Sequence, residues 1–176
     1  MSFWSGYVRS LRWGGGWLRV WLRRARCARC GVSHALVPSF CLPGRFDEVE
    51  VIGAAVAAVV GGGEGVRPVA ARFDVPHSTA RDWVRRFARR AAVLAAAFSA
   101  VVVELCGLAP VLAVQPARRA LAAITVAFNV MVSRAGPQPP RLWPFAGLVT
   151  GGGLLAANTD PLWTILGKRR FMPPVP

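Results

Sequence analysis

Polar and apolar positions change their period several times along this chain. Between residues 4 and 37 the pattern is short and broken, and over residues 17–23 it alternates in twos. Trp17, Arg19, Trp21 and Arg23 fall on one side against Leu18, Val20 and Leu22 on the other, after a glycine turn at 14–16. A period of two in aromatic and β-branched residues predicts strands, so two strands of a small antiparallel sheet are expected within residues 4–37. Pro38, Pro43 and Gly44 close that segment. Asp47 then stands as the expected N-cap of a helix over 47–60, with Glu48 and Glu50 in its positive first turn and glycines at 61–63 and 65 to end it. Pro68 opens a short helix over 68–73, residues 74–76 turn the chain, and a longer helix starts near His77 and runs through Trp83 and Phe87.

Past Arg90 the pattern changes again. Residues 91–114 are nearly all apolar, and 116–134 are amphipathic with Leu121, Ile124, Phe128 and Met131 on the expected inner face. Residues 136–144 read as a proline-rich linker, and the remainder as a loop with one short apolar element. The fold class that follows is mainly α. It comprises an incomplete, zinc-ribbon-like β segment over 1–43, a three-helix domain with a helix-turn-helix over 46–90, an apolar helical hairpin over 91–134 and a Pro/Gly-rich tail over 135–176.

Composition narrows the partners. Apolar residues make up 54% of the 176, which excludes disorder throughout. The formal net charge of +14 makes a polyanion, either nucleic acid or anionic lipid, the expected partner. An arginine excess inherited from a GC-rich coding sequence would be spread along the chain. Instead, residues 1–46 hold eight arginines and no carboxylate, residues 66–90 hold seven arginines against Asp74 and Asp82, and residues 91–117 hold no base.

The segment VRPVAARFDVPHSTARDWVRRF carries the most specific signal. Val69, Phe73, Val75, Ala80 and Trp83 have the spacing that locks two short helices across a tight turn, and Ala70 is small where they would approach. On the other side of the second helix, His77, Ser78, Arg81, Asp82 and Arg85 can hydrogen-bond base edges in a major groove. Arg67, Arg72, Arg86, Arg89 and Arg90 flank them, where phosphates would lie. Asp74 occupies the turn position commonly held by glycine. A left-handed backbone is expected there, and Asp tolerates it better than most residues. The plainer alternative is a helical hairpin with a solvated basic face.

The run RCARCGVSHALVPSFCLPGRFDEVEVIGAAVAAVVGGGEGVRPVAARFDVPHSTARDWVRRF resembles a family of transposase-associated bacterial proteins with a zinc ribbon followed by a homeodomain-like helix-turn-helix, and LVTGGGLLAANTDPLW is similar to that family's tail. The resemblance implies double-stranded DNA recognition in a mobile-element or regulatory setting, and no mechanism.

Cys27, Cys30, Gly31 and His34 form C-x2-C-G-x2-H, the shape of one zinc knuckle, so Cys27, Cys30 and His34 are the candidate metal ligands and zinc the candidate cofactor. A structural zinc wants four ligands, and Cys41 at its spacing completes no common pattern. The resemblance implies a second C-x2-C pair upstream of the first strand, and such a pair is expected in the codons before Met1. Without it, the sheet would stand on packing of Trp13, Trp17 and Trp21. Cys106 is expected in the core. No secretory signal is evident, so the expected location is the cytoplasm, at the nucleoid.

Residues 91–114 are long enough to cross a bilayer with arginines at both ends, and a basic membrane-associated protein with a transmembrane helix there is the alternative reading. Against it, Glu104 would cost about 2.5 to 3.5 kcal/mol near mid-bilayer, and Gly107 and Pro110 interrupt a helix. The favoured reading extends the recognition helix over 85–105 and packs it on 116–134, a hairpin through which the chain could homodimerise. Metal-dependent strand transfer needs clustered carboxylates, and the eight acidic residues are mostly at caps and turns. A binding module, not an enzyme, is therefore expected.

Overall fold

The computed structural model describes residues 2–28, 31–135 and 141–156. These residues are mainly α, with a small N-terminal antiparallel sheet of three strands, β1 (Ser2–Trp13), β2 (Gly16–Arg26) and β3 (Ser33–Leu36), in the order β1-β2-β3. Five helices follow: α1 (Val49–Val60), α2 (Val66–Arg72), α3 (His77–Cys106), α4 (Pro116–Arg134) and α5 (Leu142–Val149). A single 3-10 turn, Gly153–Leu155, ends the described chain.

Gly14 and Gly15 both adopt positive φ, 56° and 82°, which is the backbone a two-residue hairpin turn requires. Strand pairing sets Tyr7 opposite Leu22 and Leu11 opposite Leu18, and it sets Val8 opposite Trp21 and Arg12 opposite Trp17. Leu11 and Leu22 are fully buried, whereas Trp17 is 67% and Trp21 60% exposed. Packing of Trp17 and Trp21 is therefore not what the sheet stands on. Trp13 does make an edge-to-face contact with Phe40, with ring centres 5.3 Å apart. Polar ties complete the seam to the helices. The Arg12 backbone N–H donates to the Phe46 carbonyl at 2.6 Å, and Arg9 Nη1 donates to the Leu42 carbonyl at 3.2 Å.

Asp47 does not cap α1. Its carboxylate is buried and accepts from Arg12 Nε at 2.7 Å, while the helix begins after Glu48 without a side-chain cap. A carboxylate taken from water finds a full positive charge a stronger partner than backbone amides that solvent already reaches. α2 starts two residues ahead of Pro68, which then lies in the first turn, where its missing N–H has no intrahelical partner to lose.

α3, at about 45 Å, is the spine of the molecule. It packs on α4, α1, α2 and the 3-10 turn. The buried positions of α3 and α4 include the small residues Ala91, Ala95, Ala120, Ala123 and Ala127 beside the fully buried Leu94, Phe98 and Ile124. Leu121, Phe128 and Met131 are only partly buried, so of the four expected inner residues Ile124 alone lies at the centre. Alanines at such positions let helix axes approach.

α3 ends at Gly107, left-handed at φ 76°, whose N–H donates to the Val103 carbonyl at 2.7 Å. Residues 91–114 are therefore not one helix, and no helix among the described residues is long and apolar enough to cross a membrane. Cys106, at the end of α3, is exposed rather than core. The expected linker over 136–144 is also shorter than its prolines suggested. Residues 136–140 lie outside the described ones, and α5 begins at Leu142 with Pro144 in its first turn. Trp143, Ala146, Leu154 and Leu155 join the same apolar core as Val49, Ile52, Trp83 and Phe98. Trp143 lies against Gly53 of α1 so closely that a Cβ at Gly53 would overlap its indole.

Candidate nucleic-acid interface

The geometry of α2 and α3 follows from four residues between them. Phe73 ends α2, with its N–H donating to the Val69 carbonyl. Asp74 takes φ 50°, the one positive φ outside glycine among the described residues. That left-handed residue reverses the chain so that the Val75 N–H reaches the Ala70 carbonyl at 3.0 Å. Pro76 then enters α3 with an extended backbone. Val69, Ala70, Val75, Ala80 and Trp83 are buried together, and Phe73 is half-buried with Arg72 stacked on its ring at 5.2 Å.

The opposite face of α3 is polar and open. His77, Ser78, Arg81, Arg85 and Arg89 are exposed, and so is Arg67 on α2. Arg72 is held by both oxygens of Glu64, at 2.8 and 3.1 Å, on the surface.

Asp82 gathers a cluster of bases. It accepts from Arg86 Nε at 2.6 Å, from Arg85 Nη2 at 2.8 Å and from Arg45 Nη1 at 3.5 Å. Partial burial on its own would raise the Asp82 carboxyl. The hydrogen bonds from Arg86 and Arg85, with the charges of Arg86 and Arg45, outweigh burial and hold it below the ordinary carboxylate value. Arg45 moves down, first through burial and then through the charge of Arg86, with Asp82 opposing. Three guanidinium groups on one carboxylate leave a local excess of two positive charges beside the open face. A shallow cleft lies between this cluster and the loop before α1, lined by Gly44, Arg45, Phe46, Ser78, Thr79 and Asp82.

Arg90 was expected at a phosphate and is instead 7% exposed, with Nη1 directed to the Ala156 carbonyl at 3.5 Å. It lies one turn beyond Arg86, where the 3-10 turn after α5 covers α3, and its burial lowers its proton affinity. Arg45 was not expected at this site. It stands 37 residues before Asp82, and no local spacing joins the two.

Around the cysteine turn, Gly31 is left-handed at φ 69° and donates its N–H to the Cys27 carbonyl at 2.9 Å, while the Cys27 N–H donates to the Val32 carbonyl at 2.9 Å. Cys27 is half-buried and His34 exposed on β3, but Cys30 lies outside the described residues. Cys41 is buried, and its burial pushes the thiol up, away from the thiolate a metal needs. Among the described residues no group of three or more His, Cys, Asp or Glu side chains is placed to hold a metal ion.

No family model, no curated protein and no solved structure matches the chain.

Proposed function

We propose that this chain binds double-stranded DNA sequence-specifically, with α2 and α3 acting as a helix-turn-helix and α1 as the third helix of a homeodomain-like unit. The observation that carries the reading is the division of α3 into two faces. Ala80, Trp83 and Phe87 are buried, and His77, Ser78, Arg81 and Arg85 are exposed on the far side, immediately after a tight left-handed turn. The first turns of α3 enter the major groove, where those four side chains reach base edges. Arg67, Arg72, Arg86 and Arg89 hold phosphates. Asp82 serves by directing Arg85 and Arg86. The chain works as a binding module at the nucleoid, in a regulatory or mobile-element setting, and no step depends on a metal. Leu108, Val111 and Val114 are exposed in the α3–α4 connection, and they offer an apolar contact for a homodimer through that end.

The test is selection from a random pool of duplexes by the purified full chain. A motif is expected to emerge, and to lose definition with Arg81→Ala. An unenriched pool contradicts base reading.

A further inference from the structure

One face of β2 has no place in the helical interface. Trp17, Arg19, Trp21 and Arg23 alternate along it in an unbroken register with β1, and all four are exposed. Large aromatic side chains normally bury their surface. Here the inward positions are taken by Leu11 and Leu22, and the indoles of Trp17 and Trp21 stand in solvent at 67% and 60% exposure. Trp21 is nevertheless held in place. Its indole lies over Gly6 of β1, so close that a Cβ there would come within 2.8 Å of three ring atoms. One side of the ring is thus backed by the strand, which leaves the other side as a platform.

We infer that this face binds single-stranded DNA, with bases stacking on Trp17 and Trp21 and phosphates held by Arg19 and Arg23. Trp17 and Trp21 are four residues apart on an extended strand, about 13 Å, so different bases of one strand can reach them with Arg19 between. A sequence-tolerant binding groove is built this way, from cations along the backbone and aromatic rings under the bases. Charge complementarity is complete over the segment, since residues 1–46 contain no carboxylate. Unpaired bases fit better than a duplex, whose base faces are already covered by their neighbours. They also fit better than a lipid surface, because Arg19 and Arg23 interrupt the indoles at every second residue of β2.

The platform is continuous with the α2–α3 turn. Arg12, opposite Trp17 in the strand register, donates through Nη1 to the Asp74 carbonyl at 3.3 Å. A single strand leaving a duplex at α3 would pass from the turn directly onto β2. The choice of DNA over RNA rests on the reading of α3 given above, whereas stacking on the indoles does not.

The experiment uses the full chain and compares a blunt duplex with the same duplex carrying an oligothymidylate overhang, by fluorescence anisotropy. The overhang is expected to tighten binding, and the pair Trp17→Leu and Trp21→Leu to abolish that gain, at least about tenfold, with blunt-duplex affinity unchanged. Arg81→Ala should weaken the blunt duplex and keep the gain. Trp17→Leu alone, at the more exposed position, should lose part of the gain without lowering the melting midpoint, which separates binding from folding. If the blunt duplex does not bind and free oligothymidylate does so in a tryptophan-dependent way, the reading of α3 fails and this one stands. An overhang that adds nothing, or a gain that survives in the leucine pair, overturns it. So does a preference for an oligouridylate overhang, or tryptophan-dependent sedimentation with phosphatidylglycerol vesicles in place of the overhang effect.

Discussion

Arg86 donates through Nε to Asp82 one turn earlier on α3, at 2.6 Å, and Arg85 donates to the other oxygen of the same carboxylate at 2.8 Å. Because the Asp82 carboxyl is held below its ordinary value in the folded chain, its contribution to stability is present above the unfolded-state value and is lost as pH falls through the folded one. Asp82→Asn should lower stability at neutral pH by about 1 kcal/mol, as expected for a partly exposed pair. The difference from the parent chain should shrink in acid below the usual aspartate range. Thermal melts across pH measure it, and a difference of constant size from neutral to acid would contradict the assignment.

Gly53 offers a test in which two physical effects have opposite signs. In a helix interior, Gly→Ala ordinarily stabilises by about 0.5 to 1 kcal/mol. At Gly53 the added methyl would overlap the Trp143 indole, so Gly53→Ala should instead destabilise, by about 1 to 3 kcal/mol as overpacking does. The companion Trp143→Ala should remove the penalty for the methyl. A stabilising Gly53→Ala would show that α5 does not dock on α1.

At Asp74 the left-handed backbone makes a similar prediction. Asp74→Gly should hold or raise the melting midpoint, since glycine adopts φ 50° without strain and the carbonyl that Arg12 uses is retained. Asp74→Val should destabilise by about 1 to 2 kcal/mol, because a β-branched residue resists that backbone. Equal melting points for glycine and valine would mean that the turn is not left-handed.

Local spacing made α1 to α4 legible, whereas α5 stands where the sequence predicts linker and loop. Val69, Ala80 and Trp83 declare a shared buried side within a few residues of each other, and Asp74 is among the few residue types that tolerate the turn they require. The bounds of α4 follow in the same way from its amphipathic period and from Pro116. What escaped the sequence depends on contacts far apart along the chain. The partner of Asp47 is Arg12, 35 residues earlier, so a good N-cap residue became half of a buried ion pair. Arg90 looks like its basic neighbours until the segment after α5 returns to cover it, 66 residues later. Trp17 and Trp21, expected to pack the sheet if no second cysteine pair does, stand exposed, since alternation alone cannot say which side of a strand faces in.

The central claim is that exposed side chains on α3 read base edges while the surrounding arginines hold phosphates. The most direct measurement is the binding of Arg81→Ala and Arg89→Ala chains to the selected duplex and to a random one, each titrated with salt. For the parent chain, affinity should fall by orders of magnitude between about 50 and 200 mM salt if six or more phosphates are contacted. Arg81→Ala should cost about 1 to 3 kcal/mol on the selected duplex and little on the random one, whereas Arg89→Ala should weaken both alike and flatten the salt dependence. A flat salt profile in the parent chain, or two substitutions that behave identically on both duplexes, would contradict it.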